Sequence, residues 1–136
     1  MIISTKGRYA LRIMLDLARS AEDEFISLKD ICEREKVSLK YIESIMPELY
    51  KAGLIESRRG KTGGYRLAKE AGECSVFEIV SSVETDISPV ACVAEGAGGC
   101  ERAAECLTLP MWLKLDGIIE DYLKGITLKD LLDRKV

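Results

Sequence analysis

Between Ser38 and Leu67 the chain is punctuated in a way that few folds can accommodate. Ser38 suits a helix N-cap, Ile42, Ile45, Met46 and Leu49 follow at the spacing of one helical face, and Gly53 stands where a C′ glycine ends a helix. Leu54-Ile55-Glu56-Ser57-Arg58-Arg59 then reads as a strand, Gly60-Lys61-Thr62-Gly63-Gly64 as a turn and Tyr65-Arg66-Leu67 as the returning strand. This predicts a helix feeding directly into a hairpin with a glycine-rich, basic tip. Pro47 removes one backbone bond and should kink or tighten the last helical turns, leaving Ser38 to Glu43 undisturbed.

The flanking pattern is helical. Ala10, Leu11, Ile13, Met14, Leu17 and Ala18 form one stripe in a helix from Thr5 to Ser20. Ser27, with Asp30 three residues on, opens a short helix through Glu35 that buries Leu28 and Ile31, and Lys36–Val37 is a tight connection. Ser75 and Glu78 form a capping box for a helix to about Val83. Thr108 and Pro110 open a long helix ending at Gly125, and Thr127 with Asp130 caps a last turn carrying Leu128, Leu131 and Leu132. Trp112, Leu115, Ile118, Ile119 and Tyr122 are more apolar positions than a long helix at the edge of a small monomer needs. The expected fold is mostly α with a small β-hairpin (α+β).

Charge is unevenly distributed. The chain of 136 residues has a net charge of −3, yet residues 34–66 carry eight basic and four acidic side chains, and residues 67–136 carry seven basic and thirteen acidic. A basic segment inside an acidic protein implies a local anionic partner. Helix, short helix, tight turn, helix and basic hairpin is the order of a winged helix-turn-helix, whose second paired helix enters the major groove of DNA. Its first turns offer Ser38, Lys40, Tyr41 and Glu43; lysine reaches phosphate or guanine, and glutamate accepts from a cytosine amino group. The hairpin tip offers Arg58, Arg59 and Lys61, and an arginine on a narrow wing fits a minor groove.

The second constellation is Cys92, Cys100 and Cys106, with Gly96, Gly98 and Gly99 around the middle one, in a chain without histidine. Thiolates this close suit zinc or an iron–sulfur cluster. Five cysteines is an odd count, which favours metal or redox use over a disulfide framework. Lys6, Arg8, Arg12 and Asp16 interrupt any signal-peptide core and point to the cytoplasm, and no apolar run is long enough for a membrane span. No enzymatic activity is expected: there is no histidine for acid–base work, no nucleophile motif and no phosphate-cradling loop.

The segments "STKGRYALRIMLDLA", "VSLKYIESIMPELYKAGLIESRRGKTGGYRLAKE" and "LKGITLKDLL" resemble the Rrf-two family of bacterial transcription regulators, and most of all its iron–sulfur cluster branch. The resemblance spans nearly the whole chain. It implies a winged helix-turn-helix DNA-binding domain at 1–84, a cysteine-containing sensor loop at 85–107, and at 108–136 a long dimerisation helix with a C-terminal cap. It also implies a homodimer, with Trp112, Leu115, Ile118, Ile119 and Tyr122 on the dimer helix and Arg59 as the wing arginine, and the two-fold symmetry of such a dimer predicts a palindromic double-stranded DNA operator. Cys92, Cys100 and Cys106 would hold a 2Fe–2S or 4Fe–4S cluster that senses iron–sulfur, redox or nitric oxide status.

Two departures from the family pattern stand out. Seven residues separate Cys92 from Cys100, where five is usual, and the positions that supply a fourth ligand in relatives are Leu109 and Arg8 here. Candidates for that ligand are Glu101, Glu105, Asp86, a solvent or small thiol, Cys74 or Cys32. Cys32 is expected in the core, and Cys74, just before the Ser75 cap, is expected to be exposed. Two other readings stay open: a winged-helix regulator without a cluster, responding to a partner protein, a small molecule or thiol oxidation, and a small zinc or electron-carrier module.

Overall fold

The computed structural model describes residues 3–21, 23–94 and 100–136. Among the described residues, six α-helices and one hairpin follow in chain order: α1 (Thr5–Arg19), α2 (Leu28–Glu35), α3 (Leu39–Lys51), β1 (Ile55–Arg58), β2 (Gly64–Leu67), α4 (Val76–Val83), α5 (Leu109–Lys124) and α6 (Leu128–Leu132). Caps set most of the helix starts. The hydroxyls of Ser4, Ser27, Ser38, Ser75 and Thr127 each accept from a backbone N–H two or three residues on, and Ser75–Glu78 and Thr127–Asp130 complete reciprocal capping boxes. Thr108 makes no such bond; its hydroxyl lies 3.4 Å from the Cys106 thiol instead.

Alternate faces of α1, α2, α3 and α4 meet in one core of Ala10, Ile13, Met14, Ile31, Ile42, Ile45, Leu49 and Ile79, all fully buried. Lys36, in the left-handed conformation at φ 53°, ends α2 and makes the sharp turn into α3. α3 continues through Pro47 to Lys51. The hairpin is antiparallel, with Ile55 opposite Leu67 and Arg58 opposite Gly64; β1 is one residue shorter at each end than the sequence predicts, although the Leu54 carbonyl still accepts from the Ala68 N–H at 3.0 Å.

Two long-range ties shape the molecule. Glu84, at the exit of α4, receives three hydrogen bonds on one carboxylate oxygen: from the Ser4 N–H (2.8 Å), the Ser4 hydroxyl (2.6 Å) and the Gly7 N–H (3.0 Å). A carboxylate at the first turn of α1 meets the positive end of the helix dipole. At the other end of the chain, residues 74–76 pair with 126–128. Leu128 N–H donates to the Cys74 carbonyl (3.0 Å), Val76 N–H donates to the Ile126 carbonyl (2.8 Å), and the Leu128 side chain is completely buried in the same core as α1 and α3. No helix is long and apolar enough to cross a membrane among the described residues.

Candidate nucleic-acid interface and cysteine loop

Capping by Ser38 fixes where α3 begins, and its first turns turn outward. Ser38, Lys40 and Glu43 are exposed, and neither Lys40 nor Glu43 has a hydrogen-bond or ion-pair partner among the described residues. Tyr41 is half-buried: its ring meets Tyr9 of α1 edge-on, with centroids 5.3 Å apart, and the Arg12 guanidinium lies 5.0 Å from the Tyr9 ring. This stack fixes the pose of α3 on α1. Sequence reasoning did not find Tyr9, because its contact is made across the core rather than along the helix.

A second pair of ties holds α2. Asp16, 4% exposed, is bound by Arg34 through both carboxylate oxygens (2.7 and 3.1 Å), and Arg12 bonds the Glu35 carboxylate at 3.2 Å as well as the Glu35 carbonyl. The side-chain hydrogen bond that Arg34 donates to Asp16 holds its guanidinium above the usual range. The hairpin projects from this frame with Arg58, Arg59 and Lys61 all exposed. Arg59 and Lys61 are unpaired among the described residues, whereas Arg58 donates to the Thr62 carbonyl at 2.7 Å.

The cysteine loop leaves α4 after Glu84 and ends at α5. Cys92 lies in a single 3₁₀ turn, Ala91–Val93, and is exposed; Cys100 is exposed, and Cys106 is half-buried two residues before the Thr108 cap. The Thr108 hydroxyl and the Thr108 and Leu109 backbone N–H groups lower the Cys106 pKa, which favours the thiolate. Gly96, Gly98 and Gly99 lie outside the described residues. Two exposed thiols and a half-buried one whose thiolate is stabilised have the chemistry of donors to a soft metal centre. Among the described residues, however, no three His, Cys, Asp or Glu side chains gather closely enough to hold an ion.

Of the remaining ligand candidates, Glu101, Glu105 and Asp86 are exposed, and Asp86 accepts from the Ser88 N–H and hydroxyl. Cys32 packs half-buried against the core, as expected. Cys74 is a correction. It is 1% exposed, not solvent-facing, because residues 74–76 are covered by the pairing with 126–128, and burial pushes its thiol up to about 11. A buried neutral thiol is neither a ready redox group nor an accessible ligand.

α5 has no buried residue. Met111, Leu115, Ile118 and Tyr122, spaced four, three and four apart, form an exposed apolar seam, with exposures of 53, 37, 55 and 62%. Trp112 and Ile119 are half-buried, and Ile119 turns toward α4, lining with Phe77 and Ser81 a cavity of about 260 Å³.

A helical core, a sharp turn between α2 and α3 and an arginine-bearing hairpin directly after α3 make this a winged helix-turn-helix protein. The comparisons narrow the class. Residues 3–134 match the family model for Rrf2, described as an iron-dependent transcriptional regulator, and the chain belongs to that family. It is 39% identical over 135 residues to the HTH-type transcriptional regulator IscR of Cronobacter sakazakii, covering 99% of this chain and 82% of the relative. Among solved structures it is similar to CymR, the global cysteine regulator of B. subtilis (35% identity, 98% of both chains, TM-score 0.79). It is also similar to T. potens IscR (34% identity, 100% of this chain and 89% of that one, TM-score 0.77). The chain is a DNA-binding transcriptional regulator of the Rrf2 type, a non-enzymatic class.

Proposed function

We propose that the protein binds a palindromic operator as a symmetric homodimer and that a cluster held by Cys92, Cys100 and Cys106 controls that binding. The observation that carries the DNA part is the set of unpaired, exposed charges on two projecting elements: Lys40 and Glu43 at the start of α3, and Arg59 and Lys61 on the wing. Ser38, Lys40, Tyr41 and Glu43 address the major groove, and the wing cations address phosphate or the minor groove. The seam of Met111, Leu115, Ile118 and Tyr122 supports pairing of α5 with its symmetry copy, flanked by Trp112 and Ile119. When bound, an iron–sulfur cluster would supply a centre sensitive to redox state, oxygen or nitric oxide. This chain's own contribution is three accessible thiols, one favoured as thiolate, between the winged domain and α5.

The test is anaerobic reconstitution followed by absorption spectroscopy with iron and sulfide analysis. Stoichiometric iron and sulfide with visible charge-transfer bands are expected, and both should be lost in the Cys92→Ala/Cys106→Ala protein. Full cluster in that variant would overturn the ligand assignment. Zinc without sulfide would favour a zinc module. A second reading is favoured by the structural similarity to CymR, the global cysteine regulator of B. subtilis: the same thiols act without a cluster, through oxidation or a partner. Colourless, iron-free anaerobic protein whose DNA affinity responds to thiol oxidation would select it.

A further inference from the structure

Phe25, two residues before the cap of α2, lies beneath two cations of the wing. The guanidinium carbons of Arg58 and Arg66 each sit 4.4 Å from the centroid of its ring. The register places both on one face of the hairpin, since Arg66 is opposite Glu56 and residues 56 and 58 share a face. Ile26, next to Phe25, is bonded to β2 as a third strand would be: its N–H donates to the Tyr65 carbonyl and its carbonyl accepts from the Tyr65 N–H, both at 2.8 Å. Gly64 permits this approach, with φ +151° and no room for a Cβ against the Ile26 carbonyl.

Each guanidinium is also bonded within the hairpin, Arg58 to the Thr62 carbonyl (2.7 Å) and Arg66 to the Glu56 carboxylate (2.8 Å). An isolated two-stranded hairpin is marginal in water, and β1 beyond Ile55 is wholly exposed. Ile26 anchors β2 at Tyr65, and beyond that bridge the Phe25 ring adds a second grip on the outer wing from outside the hairpin.

We propose that Phe25 is a positioning residue for DNA binding: it clamps Arg58 and Arg66, so that Arg58 braces the wing while Arg59 and Lys61 are presented to DNA. The proposal rests on the DNA-binding reading above. A wing released from the ring must be ordered on binding, and that cost appears in affinity without removing a phosphate contact.

The experiment uses the full chain and a labelled duplex of about 30 base pairs that the protein itself selects from a random-sequence library. Each exposed cation–π contact corresponds to about a two- to fivefold factor, so Phe25→Leu should weaken binding about five- to twentyfold while Phe25→Tyr, which keeps the ring, stays within about twofold of the parent. The slope of log affinity against log salt should be unchanged in Phe25→Leu and Arg58→Ala and shallower by about one in Arg59→Ala. Equal binding by Phe25→Leu and Phe25→Tyr, or an Arg58→Ala slope reduced as much as that of Arg59→Ala, would overturn the proposal. Failure of the parent to select any duplex would overturn the underlying reading, and with it the proposal.

Discussion

Replacing Ile118 with aspartate tests how α5 is used, and the structure sets the scale. Ile118 is 55% exposed. Fully burying an isoleucine contributes about 1.5–3 kcal/mol, so covering the exposed share would contribute about 0.8–1.6 kcal/mol. A two-fold interface counts this twice, giving roughly 2–3 kcal/mol. Aspartate removes that term and adds a carboxylate facing its own symmetry copy, costing at least about 1 kcal/mol more. The total of about 3–4 kcal/mol weakens the dimer by a factor of 100 or more. The whole seam of Met111, Leu115, Ile118 and Tyr122 offers about two side-chain equivalents per protomer, or roughly 6–12 kcal/mol over both, against an association cost of about 4–15 kcal/mol. No residue of α5 is buried in the core, so the monomer should keep its fold and its thermal transition. Sedimentation equilibrium from about 0.1 to 100 µM should show a dimeric parent and a monomeric variant. A variant that sediments as a dimer throughout, or a parent that is monomeric at the top of the range, would refute the reasoning.

Other expectations concern the frame. Glu84→Ala removes the acceptor of three hydrogen bonds at the start of α1 and should lower stability by about 2 kcal/mol in urea unfolding; Gly7→Ala, whose Cβ would stand 2.5 Å from the same oxygen, should lose much of the same stability by displacing that carboxylate. Arg34→Ala leaves the Asp16 carboxylate 4% exposed and unpaired, and because Arg34 is itself half-exposed the expected cost is about 2 kcal/mol rather than the larger figure for a fully buried pair. Cys74, at about 11 when folded and near the ordinary thiol value when unfolded, binds its proton more tightly in the native state. Its contribution is present below about pH 9 and is lost as pH rises through 11, by roughly 2–3 kcal/mol. Urea midpoints compared at pH 8 and 11 should fall less for Cys74→Ala than for the parent, and an identical fall in the two would remove the thiol as the cause.

What was legible in the sequence was mainly what is local. Ser27, Ser38, Ser75 with Glu78, and Thr127 with Asp130 cap helices through bonds two or three residues long, so their positions were readable without a partner. The wing was legible because glycines mark the turn. What escaped depends on chain ends that meet late: a serine N-cap at position 75 says nothing about whether the preceding cysteine is covered, and residues 126–128 cover it. The Tyr9–Tyr41 stack and the contacts of Phe25 with Arg58 and Arg66 escaped for a different reason, since aromatic contacts between elements leave no mark in periodicity. The clustering of Cys92, Cys100 and Cys106 was legible in the sequence, but their mutual geometry is not encoded in spacing alone.

The burial of Leu128 beside residues of α1 and α3 has a consequence for synthesis. The core begun by the first helix cannot close until residue 128 has left the ribosome, 44 positions after Glu84. At a translation rate of 5–20 residues per second this is a wait of about 2–9 s, far longer than helices need to form. During it, the pocket that receives Leu128 and the backbone of residues 74–76 stand open. The nascent winged domain therefore completes its core only after the cysteine loop and the apolar seam of α5 have been made.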